Sequence, residues 1–203
     1  MNNLEFSFLG RMNYDQAQIL QNDLAILVKK TKTTAIIGLE HPAVITRGYR
    51  LRASDEFSKG NMSVVQSSRG GMLTIHSEGQ LVIYPIVNLR EHQWGVKEYV
   101  LKLLETTQYL LNQFGIESFI DDQAVGLFTE RGKIAFCGIQ VKNGITTHGI
   151  SLNVRNDLNL FKNIESCGVQ KAQLDRLQNY DVNLTLKEIF NQWVNLFTQP
   201  IRS

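Results

Sequence analysis

The sequence predicts a single α/β (α+β) domain, residues 1–203, built around a mixed β-sheet, on three observations. Strand-like runs cluster between a few well separated helical stripes, without the regular strand–helix alternation of a doubly wound fold. Asn143-Gly144, between two β-rich segments, is a strong two-residue hairpin signal. A chain of 203 residues suits one large domain or two very small ones, and no repeat, low-complexity tract or proline-rich linker marks a boundary.

In chain order, residues 4–9 alternate weakly and read as a short strand. Asn13 then opens a helix, with Gln16 three residues on as a variant capping box. Ala17, Leu20, Leu24, Leu27 and Val28 form its apolar stripe, and Lys29 and Lys30 suit its C-terminus. Residues 33–40 read as a buried strand ended by His41-Pro42, and 47–61 as a polar surface loop. Strands follow at 63–66, 71–76 and 80–87. The clearest helix is 96–114, its stripe running from Val96 to Phe114, with Gly115 placed as a C-cap glycine. Strands are expected at 117–121 and 124–129, and a last helix begins at the capping box Thr185-x-x-Glu188.

The hairpin carries a register. If Asn143 and Gly144 are the loop, Gly138 faces Gly149 and Ile139 faces His148. Two facing glycines leave a hole in the sheet, either an accident of packing or room for a ligand.

Composition bounds the function. Lys and Arg number 21 against 19 Asp and Glu, a net +2 that argues against a dedicated nucleic-acid binder. Two cysteines, Cys137 and Cys167, make neither a disulfide framework nor a zinc set, and no His or Cys pair has metal-ligand spacing, so no metal and no cofactor are expected. The N-terminus lacks the pattern of a signal peptide, and no apolar run reaches the ~20 residues of a membrane span. The expected setting is cytoplasmic, with reduced thiols and no membrane partner.

Cys167, followed by Gly168 in a segment without periodicity, could have backbone amides facing its sulfur; it could equally be a small apolar side chain under a loop. Cys137 lies inside a strand, a packing position. Lys133 follows the turn Glu130-Arg131-Gly132. His76 and His148 could be bases or half-buried hydrogen-bonded side chains, whereas His41 and His92 look structural. Arg69-Gly70-Gly71 permits close backbone approach but lacks the pattern of a nucleotide phosphate loop.

In order and spacing, LEHPAVITRGYR (39–50), RGGMLTIHSEGQLVIYPIVNL (69–89), GKIAFCGIQV (132–141), THGISLNV (147–154) and SCGV (166–169) resemble the lipoyl(octanoyl) transferase family. The resemblance implies the catalytic-domain fold of biotin and lipoate protein ligases. It also implies octanoyl transfer from octanoyl-acyl carrier protein to a lysine of lipoyl domains, those of 2-oxoacid dehydrogenases and the glycine cleavage H protein. On the matching positions, Cys167 is the acyl-thioester nucleophile, and Lys133 lowers its pKa and relays a proton. The substrate pocket falls to Arg69, Gly70, Gly71, Met72, Leu73, Thr74, Ile75 and His76, with Phe136, Cys137, Gly138, Gly149, Ile150 and Ser151. No metal and no nucleotide are implied.

The chain departs from the family where His76-Ser77-Glu78-Gly79-Gln80 replaces a proline-containing turn, which is expected to be looser and to carry a charge near the carrier's docking face. Arg47, Arg50, Arg52 and Lys59 are expected to meet an acidic carrier. Between Lys133 and Cys137, a regular strand would leave roughly 13 Å on one face, too far for the pair to interact unless a bulge intervenes. Two other readings stand beside this one: an ATP-dependent lipoate or biotin ligase on the same fold, and a non-catalytic acyl-carrier-binding module. A nucleophilic cysteine is needed by neither.

Overall fold

The computed structural model describes residues 4–50, 62–121, 125–163 and 173–199. Cys167, Gly168, Arg52 and Lys59 therefore lie outside the described residues. Among the described residues ten strands, β1 (Leu4–Arg11), β2 (Thr34–Glu40), β3 (Val44–Arg47), β4 (Ser63–Gln66), β5 (Leu73–His76), β6 (Gln80–Ile86), β7 (Phe119–Ile120), β8 (Gly126–Thr129), β9 (Gly132–Lys142) and β10 (Ile145–Asn153), divide between two sheets. The larger runs β1-β2-β6-β10-β9-β8-β7 and the smaller β4-β3-β5. Both are mixed: β1 pairs with β2, and β3 with β4, in parallel, while the other pairs are antiparallel.

Three helices cover the large sheet, α1 (Tyr14–Thr31), α2 (Val96–Gln113) and α3 (Leu186–Phe197). Strands buried on both faces read as continuous apolar runs, and β2 and β6 show how. Ile36, Leu81 and Ile83 enter the core beneath α2 and α3, whereas Ala35, Ile37, Leu39, Val82, Tyr84 and Ile86 face α1. A third, small apolar cluster joins Ile45 and Ile75 of the small sheet to Leu73, Leu160 and Phe161.

The expected helices and most strands are present, and the hairpin pairs Gly138 with Gly149 and Ile139 with His148. Gly115 takes the left-handed conformation (φ 72°) after α2, and the Thr185–Glu188 capping box is formed. Four expectations change. Asn13 caps α1 with its backbone alone, no side-chain bond being made, so the Asn13–Gln16 box is absent. The buried face of α1 runs through Tyr14, Ala17, Gln21 and Val28, leaving Leu27 exposed; a polar residue occupies its centre because it bonds the strand below. The start of the polar loop, Arg47, ends β3, a strand not read from the sequence. The segment before Cys167 also contains a short 3-10 helix, Leu158–Asn163.

Candidate active site

Lys133 sits at an irregular point of β9. Leu127 of β8 pairs with Ala135 and Phe128 with Lys133, so Ile134 is an extra residue, a β-bulge. The bulge shifts the phase of alternation. Lys133 Nζ lies 4.9 Å from the Phe136 ring centroid and 5.2 Å from that of Phe128, and it donates to the Val125 carbonyl at 3.1 Å. A cation between two aromatic faces gains electrostatically while losing water. Desolvation lowers its pKa, opposed by Cys137 and Asp121.

Two glycines make room for this lysine. A Cβ on Gly126 would stand 2.5 Å from Lys133 Cε, and one on Gly132 would stand 2.2 Å from the Gln173 carbonyl oxygen. Both have positive φ (155° and 138°), where other residues are strained. Lys133 N–H donates to Gln173 O at 2.8 Å, and Asp175 N–H donates to Lys133 O at 3.0 Å. The chain that leaves Cys167 thus re-enters the described structure, six residues later, bonded to the Lys133 backbone.

Phe136 stacks on Phe161 at 5.6 Å, which ties the Lys133 face to the apolar cluster of Leu73 and Ile75. Cys137 and Ile150, opposite each other across β9 and β10, instead pack with the main core, away from the lysine's rings. The expectation that Lys133 and Cys137 are too far apart to interact is therefore corrected: with the bulge between them each influences the other's ionisation, although Cys137 packs into the core. Burial pushes the Cys137 thiol up to about 12, against the lowering influence of Lys133, so it stays protonated and unreactive at neutral pH.

The segment 69–72 crosses β9 at Gly138, two residues along from Phe136 and on the same face. Gly70 N–H donates to Ile139 O at 2.9 Å, and Gly48 N–H, Tyr49 N–H and Arg50 N–H donate to the carbonyls of Met72, Arg69 and Gly71. The buried Arg69 guanidinium is spent on oxygens of Thr46, Gly70 and Met72. Burial lowers its pKa, opposed by Tyr14 and Tyr84. The hole expected at the facing glycines is occupied here. A Cβ at Gly138 would meet Arg69 Cδ at 3.3 Å and Gly70 O at 3.4 Å, and one at Gly149 would strike Ile83 O at 2.3 Å. A side chain at Gly149 would disrupt the sheet before it could shorten any bound chain.

Behind Arg69 lies a cluster absent from the sequence reading. His76 stacks on Tyr14 at 5.9 Å, lies 5.5 Å from His41, and bonds Gln80 through Nδ1. His41 bonds Met12 O and the Tyr84 hydroxyl. His148 has φ 59°, a conformation costing about 1–2 kcal/mol for a residue with a Cβ. Its N–H donates to Gln21 of α1, and its Nε2 lies 3.0 Å from Ser68 Oγ. Burial lowers all three histidines, His41 and His148 to about 4 and His76 well below its ordinary value. His76 belongs to this packing, not to an open pocket wall. Thr74 and Ser151 are also buried. The departing turn is held: Glu78 pairs with Arg11, and Glu40 accepts from Gly79 N–H at 2.6 Å, which corrects the expected looseness.

The lipoyl protein ligase A/B catalytic domain family matches residues 13–198. An octanoyltransferase of Cellvibrio japonicus (strain Ueda107) is 36% identical over 173 residues, 84% of this chain and 80% of the relative. The chain belongs to the octanoyltransferases of this family. Among solved structures, a lipoate-protein ligase A bound with ATP superposes with a TM-score of 0.76 at 14% identity, covering 97% of this chain and 84% of that one. Biotin protein ligase of Aquifex aeolicus, in complex with biotin and ATP, gives 0.58 at 12% identity, over 98% and 69%. At such identities the likeness is one of fold. It bears out the expected architecture, and among the described residues no helix is long and apolar enough to cross a membrane.

Proposed function

We propose that this octanoyltransferase family member moves an octanoyl group from octanoyl-acyl carrier protein to a lysine of lipoyl domains, through a thioester on Cys167, in the cytoplasm. The observation that carries the dyad is the return of the chain from Cys167 onto the Lys133 backbone, beside a lysine whose ammonium is held between two rings.

A free thiol with a pKa near 8.5 is mostly protonated at pH 7, and an adjacent ammonium favours the thiolate. The Cys167 thiolate attacks the carrier's thioester carbonyl. A carbon–sulfur bond forms, the bond to the carrier sulfur breaks, and the carrier thiolate takes up a proton. The acceptor amine then attacks the acyl-enzyme, a carbon–nitrogen bond forms, and the Cys167 thiolate leaves. The amine's surplus proton passes through Lys133, whose ammonium burial makes a readier proton donor. Exchange of thioester for amide is downhill, so the transfer needs no nucleotide. Residues 69–72 and Phe136, with the Leu73/Ile75/Phe161 cluster, form the acyl-binding wall, Gly138 admitting Arg69 and Gly70 against β9.

Intact mass after mixing with octanoyl-carrier tests the reading. One octanoyl group should appear without ATP and be absent in Cys167→Ser; transfer that needs free octanoate and ATP would identify a ligase. The carrier is expected to dock by charge at Arg47 and Arg50, with Arg52 and Lys59. Its reaction should slow severalfold between low and moderate salt. An unchanged rate, or no effect of reversing Arg50, removes that docking surface.

A further inference from the structure

Asp175 has no exposed surface, yet its carboxylate is surrounded by neutral donors. Oδ2 accepts from the Thr129 and Tyr180 hydroxyls, each at 2.5 Å. Oδ1 accepts from Arg176 N–H at 2.8 Å and Asn179 Nδ2 at 2.7 Å. The Arg176 side chain reaches elsewhere, to the Asn156 carbonyl. The Asp175 backbone is equally committed: its N–H donates to Lys133 O at 3.0 Å, and its carbonyl accepts from Asn153 Nδ2 of β10 at 3.0 Å. Burying a carboxylate costs several kcal/mol unless its lone pairs are filled, and here four donors fill them.

These bonds converge on one backbone position. Thr129 ends β8 and pairs with Gly132, the residue before Lys133. Leu174 bridges Lys133 in parallel, and Gly132 is the residue whose missing side chain lets Gln173 and Leu174 approach. Asp175 therefore ties together the end of β8, the start of β9 and the 3-10 turn Leu177–Tyr180 at the root of the catalytic lysine. We infer that Asp175 is a positioning residue: its buried carboxylate clamps residues 173–175 against β9, and so sets where Lys133 stands relative to the chain arriving from Cys167. This rests on the Cys167–Lys133 reading above.

The clamp acts through Lys133, so its loss should register on the thiol, not only on stability. The experiment follows alkylation of Cys167 by iodoacetamide as a function of pH, located by peptide mapping, beside steady-state transfer and thermal melting. Asp175→Asn keeps the shape and removes the charge; Tyr180→Phe removes one donor and leaves the fold's core intact. Lys133→Ala sets the full displacement expected when the ammonium is absent. Asp175→Asn should move the alkylation midpoint upward by about one pH unit, and lower kcat about tenfold with little change in acceptor KM. Tyr180→Phe should move both in the same direction by less, and it carries the test if Asp175→Asn does not fold. If Tyr180→Phe and any folded Asp175→Asn melt earlier but keep the wild-type profile and kcat, while Lys133→Ala moves the profile, Asp175 is a structural residue and the inference is wrong. A profile unmoved in Lys133→Ala removes the dyad itself and the inference with it.

Discussion

Two cations lie on the same face of β9, Lys133 against the Phe136 ring and Arg69 over Gly138, and they are held in opposite ways. Arg69 is buried and bonded to oxygens of Thr46, Gly70 and Met72, so its charge is used up in fixing the 69–72 segment. Lys133 is only half-buried, its side chain makes one hydrogen bond to a carbonyl among the described residues, and its ammonium rests against two rings. A guanidinium cannot usefully give up its proton, whereas a desolvated amine can. The first arrangement builds a wall and the second leaves a proton available. One face of β9 carries both jobs, with Gly138 making the approach of Arg69 possible.

The contrast breaks most readily at Lys133. Lys133→Ala should slow octanoyl transfer by about 10²–10⁴-fold, the usual range for a lost general acid–base group, with a melting temperature near that of the wild type. Lys133→Arg should restore thiolate formation but not full turnover. A Lys133→Ala enzyme with turnover close to wild type would place the proton relay elsewhere.

At Arg69 the expectation is reversed. Arg69→Met removes the guanidinium donors to Thr46 and Gly70, at about 1–3 kcal/mol for each acceptor stranded, while Met72 O keeps the Gly48 N–H. The protein should melt earlier by several degrees, and activity should fall because the 69–72 segment loosens. A melting curve identical to wild type, with activity lost, would make Arg69 a catalytic residue after all.

The smallest effect is one of acidity, and it belongs to the cluster behind Arg69. His41 and His148 are lowered from 6.5 to about 4, chiefly by burial, so the unfolded chain takes up protons before the folded one. Their contribution to stability is complete above pH 6.5 and is lost progressively as pH falls toward 4. At pH 5 each costs about 2 kcal/mol relative to pH 7.5. Urea midpoints at the two pH values measure it, and His148→Asn, a residue tolerant of positive φ, should flatten part of the slope. A slope unchanged in that variant would shift the acid sensitivity to other groups.

Local rules were legible in the sequence wherever local chemistry decides. The Asn143-Gly144 turn sets the register of β9 and β10 through to Gly138 and Gly149, because a two-residue loop leaves one alignment. The Thr185–Glu188 box starts α3, because a side chain three residues away satisfies the helix's first N–H groups. The order of motifs pointed to the family, and the family matches. What the sequence could not determine lies where distant segments meet. The bulge at Ile134 depends on β8 and on residues 173–175 arriving at Gly132, some forty residues away in the chain. It turned Lys133 toward Phe136 and left Cys137 in the core, against the plain alternation of a strand. Gln21 broke the apolar stripe of α1 because its partner, the His148 N–H, lies 127 residues along. His148 reaches Ser68 with a strained, left-handed backbone. Periodicity records which side chains avoid water. It carries no record of which distant backbone group needs a donor or acceptor, and only the assembled sheet supplies that demand.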